Sequence, residues 1–233
     1  MALDQVLRAL EAAGAEQNRK IYRRHGVGER QFGVSFANLR SIGQQYLGDQ
    51  QLAEALWTTG NHDARMLATI IADPAAIADG TLEAWRRDLD NYVVTDAFTG
   101  LVARTPQCRK KMEKWTKAKG EWTSRCGFGL LAHLAMRDPQ LPDDYFLRYL
   151  EIIEREIHGR KNRTRDAMNS ALIAIGVRNR ALQQRAVAAA KRIGTVEVDH
   201  GETGCKTPDA VEYIERTVKR QAEDTASRKR ATS

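Results

Sequence analysis

In "DLDNYVVTDAFTG", residues 88–100, a single carboxylate, Asp96, stands among Tyr92, Val93, Val94, Ala97 and Phe98. At 3.6 residues per turn, Tyr92 and Asp96 share one helix face, one turn apart. An unpartnered carboxylate in an apolar setting is costly. Three readings therefore stand: Asp96 pairs with an arginine, caps a helix, or faces a ligand as an anion with Tyr92 as an aromatic wall. Arg125, in "EWTSRCGF", is read either as a buried partner for an acid or as a ligand contact. Beside it, Cys126 is a thiol activated by the guanidinium or a small buried residue. His62, ahead of Asp63-Ala64-Arg65, reads as structural rather than catalytic.

A second cluster of reactive types is "VEVDHGETGCKTPD", 196–209, with Asp199, His200, Glu202 and Cys205. The spacing D-H-x-E-x-x-C is no established zinc pattern, and all ligands would come from one loop. A turn tying the last helix to the rest is the simpler reading, with Gly201 and Gly204 allowing tight backbone geometry. No Walker loop, GxGxxG or HExxH occurs, so neither a metal nor a cofactor is expected. Cys108, Cys126 and Cys205 form no CxxC pair and suit a reducing compartment.

The elements that must position these residues are helices. Nearly every segment has helical period, with breaks at Asp73-Pro74, Pro106, Asp138-Pro139, Pro142, His158-Gly159 and Gly194. "TVEVDH", 195–200, is the one short strand candidate. "LEAWRRDLDNYVVTDAFTGLVARTP" reads as one continuous helical segment. An arginine precedes a small-residue apolar run at Arg65, Arg125, Arg165 and Arg185, at spacings of 60, 40 and 20. That fits a helix-pair unit of roughly 40 residues, the HEAT range. The expected fold is an all-α superhelical solenoid of antiparallel HEAT-like helix pairs. It forms one domain over 1–225, with a concave face able to seat a duplex. In "KTPDAVEYIERTVKRQAE" Thr207 is the expected N-cap of the last helix, and 226–233 are expected to be a basic, disordered tail.

The 233 residues are 42% hydrophobic and 29% charged, and no run of about 18 apolar residues exists to span a membrane. The N-terminus lacks the cationic start and apolar block of a signal peptide. The net charge of +7 is unevenly placed: residues 1–90 hold 10 Lys/Arg against 12 Asp/Glu, and 91–233 hold 27 against 18. Within 104–125, "RTPQCRKKMEKWTKAKGEWTSR", eight residues are basic and two acidic. Such a field favours a polyanion, nucleic acid first; a solvated helix face is the alternative.

"YRRHGVGERQFGVSFANLR", "LAEALWTTGNHDARMLATIIADP", "WRRDLDNYVVTDAF" and "KWTKAKGEWTSRCGF" together resemble the AlkD-like DNA alkylation repair family, over roughly residues 20–215. The resemblance implies a right-handed superhelix of HEAT-like repeats. It also implies a DNA glycosylase, a hydrolase that excises cationic N3- and N7-alkylated purines from double-stranded DNA. Asp96 matches the family's catalytic aspartate, and Arg125, three residues after Trp122, its active-site arginine. Tyr92 stands where the family carries a tryptophan, and Ser170 falls near a second one. In that chemistry an alkylated purine is already cationic and needs no acid to leave. A fixed carboxylate stabilises positive charge growing on the sugar, aromatic faces add roughly 0.5–2 kcal/mol each, and cations hold phosphates.

The expected catalytic set is thus Asp96, Tyr92 and Arg125. Trp122 and Lys110, Lys111, Lys114, Lys117 and Lys119 are the expected DNA contacts. The protein is expected to act as a cytoplasmic monomer, nucleoid-associated if bacterial. A non-catalytic binder of DNA structure and a protein-interaction scaffold are the alternatives.

Overall fold

A computed structural model describes residues 2–231. Thirteen α-helices fill the described chain, and no strand is present among those residues. "TVEVDH" belongs to no strand or helix, so the strand expectation is corrected. The helices are α1 (Ala2–Ala12), α2 (Glu16–Arg24), α3 (Phe36–Gly43), α4 (Gln50–Thr58), α5 (His62–Ile71), α6 (Asp79–Arg87), α7 (Tyr92–Val102), α8 (Cys108–Trp115), α9 (Glu121–Arg137), α10 (Asp143–Glu156), α11 (Asn162–Gly176), α12 (Arg180–Ile193) and α13 (Ala210–Ala231). None is long and apolar enough to cross a membrane, among the described residues. The last helix runs to Ala231, into the stretch expected to be a loose tail, while Thr232 and Ser233 lie outside the described residues.

The chain divides into two compact units, and the division falls inside α9 between Leu130 and Leu131. The first comprises residues 1–130 with 200–205. Here α4 packs on α5, α5 on α7, α3 on α5 and α6 on α7. Its core carries an aromatic series through successive helices: Trp57 stacks on Trp85 at 4.3 Å, Phe98 tilts against Trp57 at 6.0 Å, and Trp115 lies 5.9 Å from Phe98. Burying such rings contributes about 0.5–1.5 kcal/mol per pair beyond area. Where α9 crosses the end of α8, Gly127 leaves no room for a side chain. A Cβ there would meet the Thr116 nitrogen at 2.4 Å.

Three helices share one start. Asn61, Asn91 and Asn179 each accept, through the side chain, the amide hydrogen three residues on, at 3.1, 3.1 and 2.9 Å. The Asn91 cap splits the segment read as one helix into α6 and α7. It makes Tyr92 the first residue of α7.

The second unit comprises 131–199 and 206–233. Within it α12 packs on α10 and α11, and α13 packs on α11 and α12, around Phe146, Ile153, Met168, Ile175, Ala186 and Ile214. Arg165 lies on α11 and Arg185 on α12, which are packed neighbours, so the 20-residue step is not a repeat. Asn162 and Asp199 exchange two hydrogen bonds of 2.7 Å, and Asn169 donates to the Pro208 carbonyl at 3.0 Å; the loop after α12 is tied down by α11. Asp209, not Thr207, caps α13, accepting from the Glu212 amide at 2.9 Å.

Candidate functional site

Asp96 is not buried: its side chain is 51% exposed, on the outer face of α7. Arg125, one turn into α9, is 9% exposed and grips it with two parallel bonds, Nε to Oδ1 at 2.7 Å and Nη2 to Oδ2 at 2.8 Å. This fork geometry is the strongest form of the pair. The same guanidinium sits over the Tyr92 ring, 5.4 Å from its centroid. So the structure brings Tyr92, Asp96 and Arg125 together: Asp96 is paired with an arginine and keeps half of its side chain exposed.

Sequence reasoning missed a fourth member. His25, at the C-cap of α2, shares a hydrogen bond between its Nδ1 and the Tyr92 hydroxyl, and the rings lie 5.8 Å apart. The partners are 67 residues apart in the chain, and no local pattern marks them. The loop that follows is fixed to α5 from within. Asp63, fully buried, accepts amide hydrogens from Phe32, Gly33 and Val34 at 2.6, 3.1 and 2.8 Å. Gly33 takes φ +78, where a side chain would be strained and would strike the Ala15 carbonyl at 2.5 Å. His62 is buried, and burial, ahead of the opposing pull of Asp63, lowers its pKa. Arg65 packs over Trp57 and donates to the Asp88 carbonyl at 3.0 Å. The "HDAR" residues thus hold the scaffold.

The lysines divide. Lys110, Lys117 and Lys119 are exposed and form no ion pair among the described residues. Lys111 is 2% exposed; its ammonium bonds Glu83 at 2.6 Å and Asp79 at 3.0 Å. It is a core cation, and the expectation that it reaches DNA is corrected: the face of α8 that carries it packs against α6. Lys114 is exposed but bonded to the same Glu83 oxygen at 2.9 Å. Burial would raise the Glu83 carboxyl, but the two ammonium groups outweigh it and hold it at about 2. Arg86 donates to Thr123 at 2.8 Å, tying α6 to the start of α9. Trp122 is partly exposed on the first turn of α9, so the basic turn 117–119, Trp122 and Arg125 occupy one end of that helix.

Cys126 is fully buried and its thiol is pushed up to about 12, chiefly by that burial. This is a packing residue and not an activated nucleophile. Among the described residues no three His, Cys, Asp or Glu side chains gather to hold a metal, in 196–209 or elsewhere. Ser170 is exposed on α11, in the second unit.

With this geometry in place, the relatives are informative. The chain is 26% identical to the uncharacterized protein Lin0241 of Listeria innocua over 224 residues, covering 93% of this chain and 97% of that one. It is likewise 26% identical to the uncharacterized protein Lmo0209 of Listeria monocytogenes, with the same coverage. A solved structure matches over 94% of both chains, with a TM-score of 0.87 and 29% identity. It is described as a new family of proteins related to the HEAT-like repeat DNA glycosylases with affinity for branched DNA structures. The fold class is therefore all-α, of HEAT-like helix pairs. The DNA alkylation repair enzyme model matches residues 6–214, nine-tenths of the sequence, and the chain belongs to that family.

Proposed function

We propose that this protein binds DNA and recognises branched DNA in preference to linear duplex, without excising bases. The observation that carries the reading is the Arg125 fork on Asp96. A lone carboxylate about 5 Å from a cationic sugar contributes roughly 3 kcal/mol at an effective dielectric of about 20. With a guanidinium about 4 Å behind it, the same expression leaves about 1.5 kcal/mol. The site then presents a carboxylate whose charge a guanidinium largely offsets, beside an aromatic ring, a surface suited to contact rather than to driving sugar cation formation. Exposed Lys110, Lys117 and Lys119 are open to phosphate contacts, with Trp122 as a surface for an unstacked base. Affinity for branched DNA in a structural relative of 29% identity supports the same reading.

Excision of cationic alkylpurines is the second reading, and one observation favours it: Asp96 remains half exposed, with Tyr92 one turn away. Two assays on one preparation separate them. Binding to a four-way junction and to linear duplex of equal length is measured across a salt series, and release of 3-methyladenine and 7-methylguanine is measured on methylated DNA. The first reading expects the junction to bind at least tenfold tighter and no base to be freed. Base release that disappears in Asp96→Asn installs the second reading; equal affinity for junction and duplex removes the first.

A further inference from the structure

We infer that His25 is a positioning residue of this site, setting the Tyr92 ring and through it the Arg125–Asp96 pair. The consequence for DNA rests on the binding reading above; the geometry does not. Four side chains form one line of contact: His25 to the Tyr92 hydroxyl, the Tyr92 ring under the Arg125 guanidinium, and Arg125 to both oxygens of Asp96. Tyr92 begins α7, where a side chain has few neighbours on its own helix, so its ring angle must be set from outside. His25 does this from the end of α2.

The anchorage of His25 is what gives it leverage. Val27, two residues on, is buried at 4% exposure; Arg30 accepts the His62 amide hydrogen at 2.8 Å through its carbonyl; and Asp63 holds residues 32–34. The chain that follows His25 is thus tied to α5 through residues 30–34, while Gly26 and Gly28 face open space. The Nδ1 atom accepts from the phenol or donates to its oxygen according to which ring nitrogen carries the hydrogen. An asparagine amide places a donor or an acceptor near the Nδ1 position and can serve either role.

The test compares His25→Ala, His25→Asn and Tyr92→Phe in the full chain. Without DNA, the ring nitrogen resonances of His25 are expected to move in Tyr92→Phe. The Arg125 Nε–H, shielded by its bond to Asp96, is expected to exchange at least several-fold faster in His25→Ala and at the native rate in His25→Asn. With a four-way junction as probe, His25→Ala is expected to weaken binding about three- to tenfold, the factor one ordinary hydrogen bond carries. His25→Asn should restore it, and His25→Ala should have no further effect in the Tyr92→Phe background. Unmoved His25 resonances, or an Arg125 exchange rate equal in the alanine and asparagine variants, overturns the inference whether or not DNA binds. Absence of junction binding by the native chain refutes the functional reading alone, because the exchange measurements still decide the positioning role.

Discussion

Lys110 and Lys111 are neighbours in sequence and are expected to have opposite phenotypes. Successive residues on a helix point about 100° apart, and here that angle separates solvent from core. Lys111→Met keeps the length of the side chain and removes the charge, leaving Glu83, 17% exposed, with Lys114 and Arg86 as its remaining cations. Breaking a buried pair costs about 3–5 kcal/mol when the survivor is left alone. Because two cations stay on Glu83, and Asp79 is half exposed and rehydrates, about 2–3 kcal/mol is the appropriate figure. For a chain of this size that lowers Tm by roughly 4–12 °C.

Lys110→Gln is expected to leave Tm within about 1–2 °C of native, as an exposed substitution does. Its effect belongs to DNA: one phosphate contact fewer lowers the slope of log affinity against log salt by about 0.9. The assay is thermal unfolding of both variants beside a salt titration of junction binding. A Lys111→Met protein of native Tm whose salt slope falls like that of Lys110→Gln would refute the burial of Lys111 and the division of the lysines built on it.

Three further outcomes follow from the buried groups. Asp63→Asn turns an amide NH2 toward backbone N–H donors that now share one carboxylate, and a loss on the order of 3 kcal/mol is expected; hydrogen exchange at Phe32, Gly33 and Val34 should accelerate with it. Glu83, held at about 2 against an ordinary 4.5, contributes stability that is fully present above pH 4.5 and is lost as pH falls toward 2. Glu83→Gln should therefore flatten the unfolding curve in that acid window and leave its shape above pH 5 unchanged. Cys205 is exposed while Cys108 and Cys126 are buried, so a thiol reagent at pH 8 should label one cysteine in the native chain and three after denaturation. Rapid native labelling at Cys126 would contradict a thiol pushed up to about 12.

What the sequence exposes and what it hides divide along a physical line. Apolar periodicity reports burial against any neighbour, so helices with a broad apolar stripe, such as α5 and α11, are plain in the residues. The α2 helix buries no residue and shows no such stripe, while α8 buries Lys111 in the same row as Cys108, Met112 and Trp115, so its stripe is broken by a charge. The break at 88–91 had a legible signal in Asn91, since "GNHDA" and "RNRAL" carry the same cap. The partner of a charge is different. Asp96 and Arg125 are 29 residues apart, and Lys111 and Glu83 are 28 apart. Each pair exists because of the register in which one helix lies on the next, a quantity no window of sequence contains. Composition therefore marks the 104–125 region as a place for polyanions, yet only the packing of α8 against α6 decides which of its cations are available to one. The same logic governs the site itself. By the family resemblance, Tyr92, Asp96 and Arg125 would be the parts of an excision centre, whereas the fork between two of them decides how much uncompensated charge such a centre could offer.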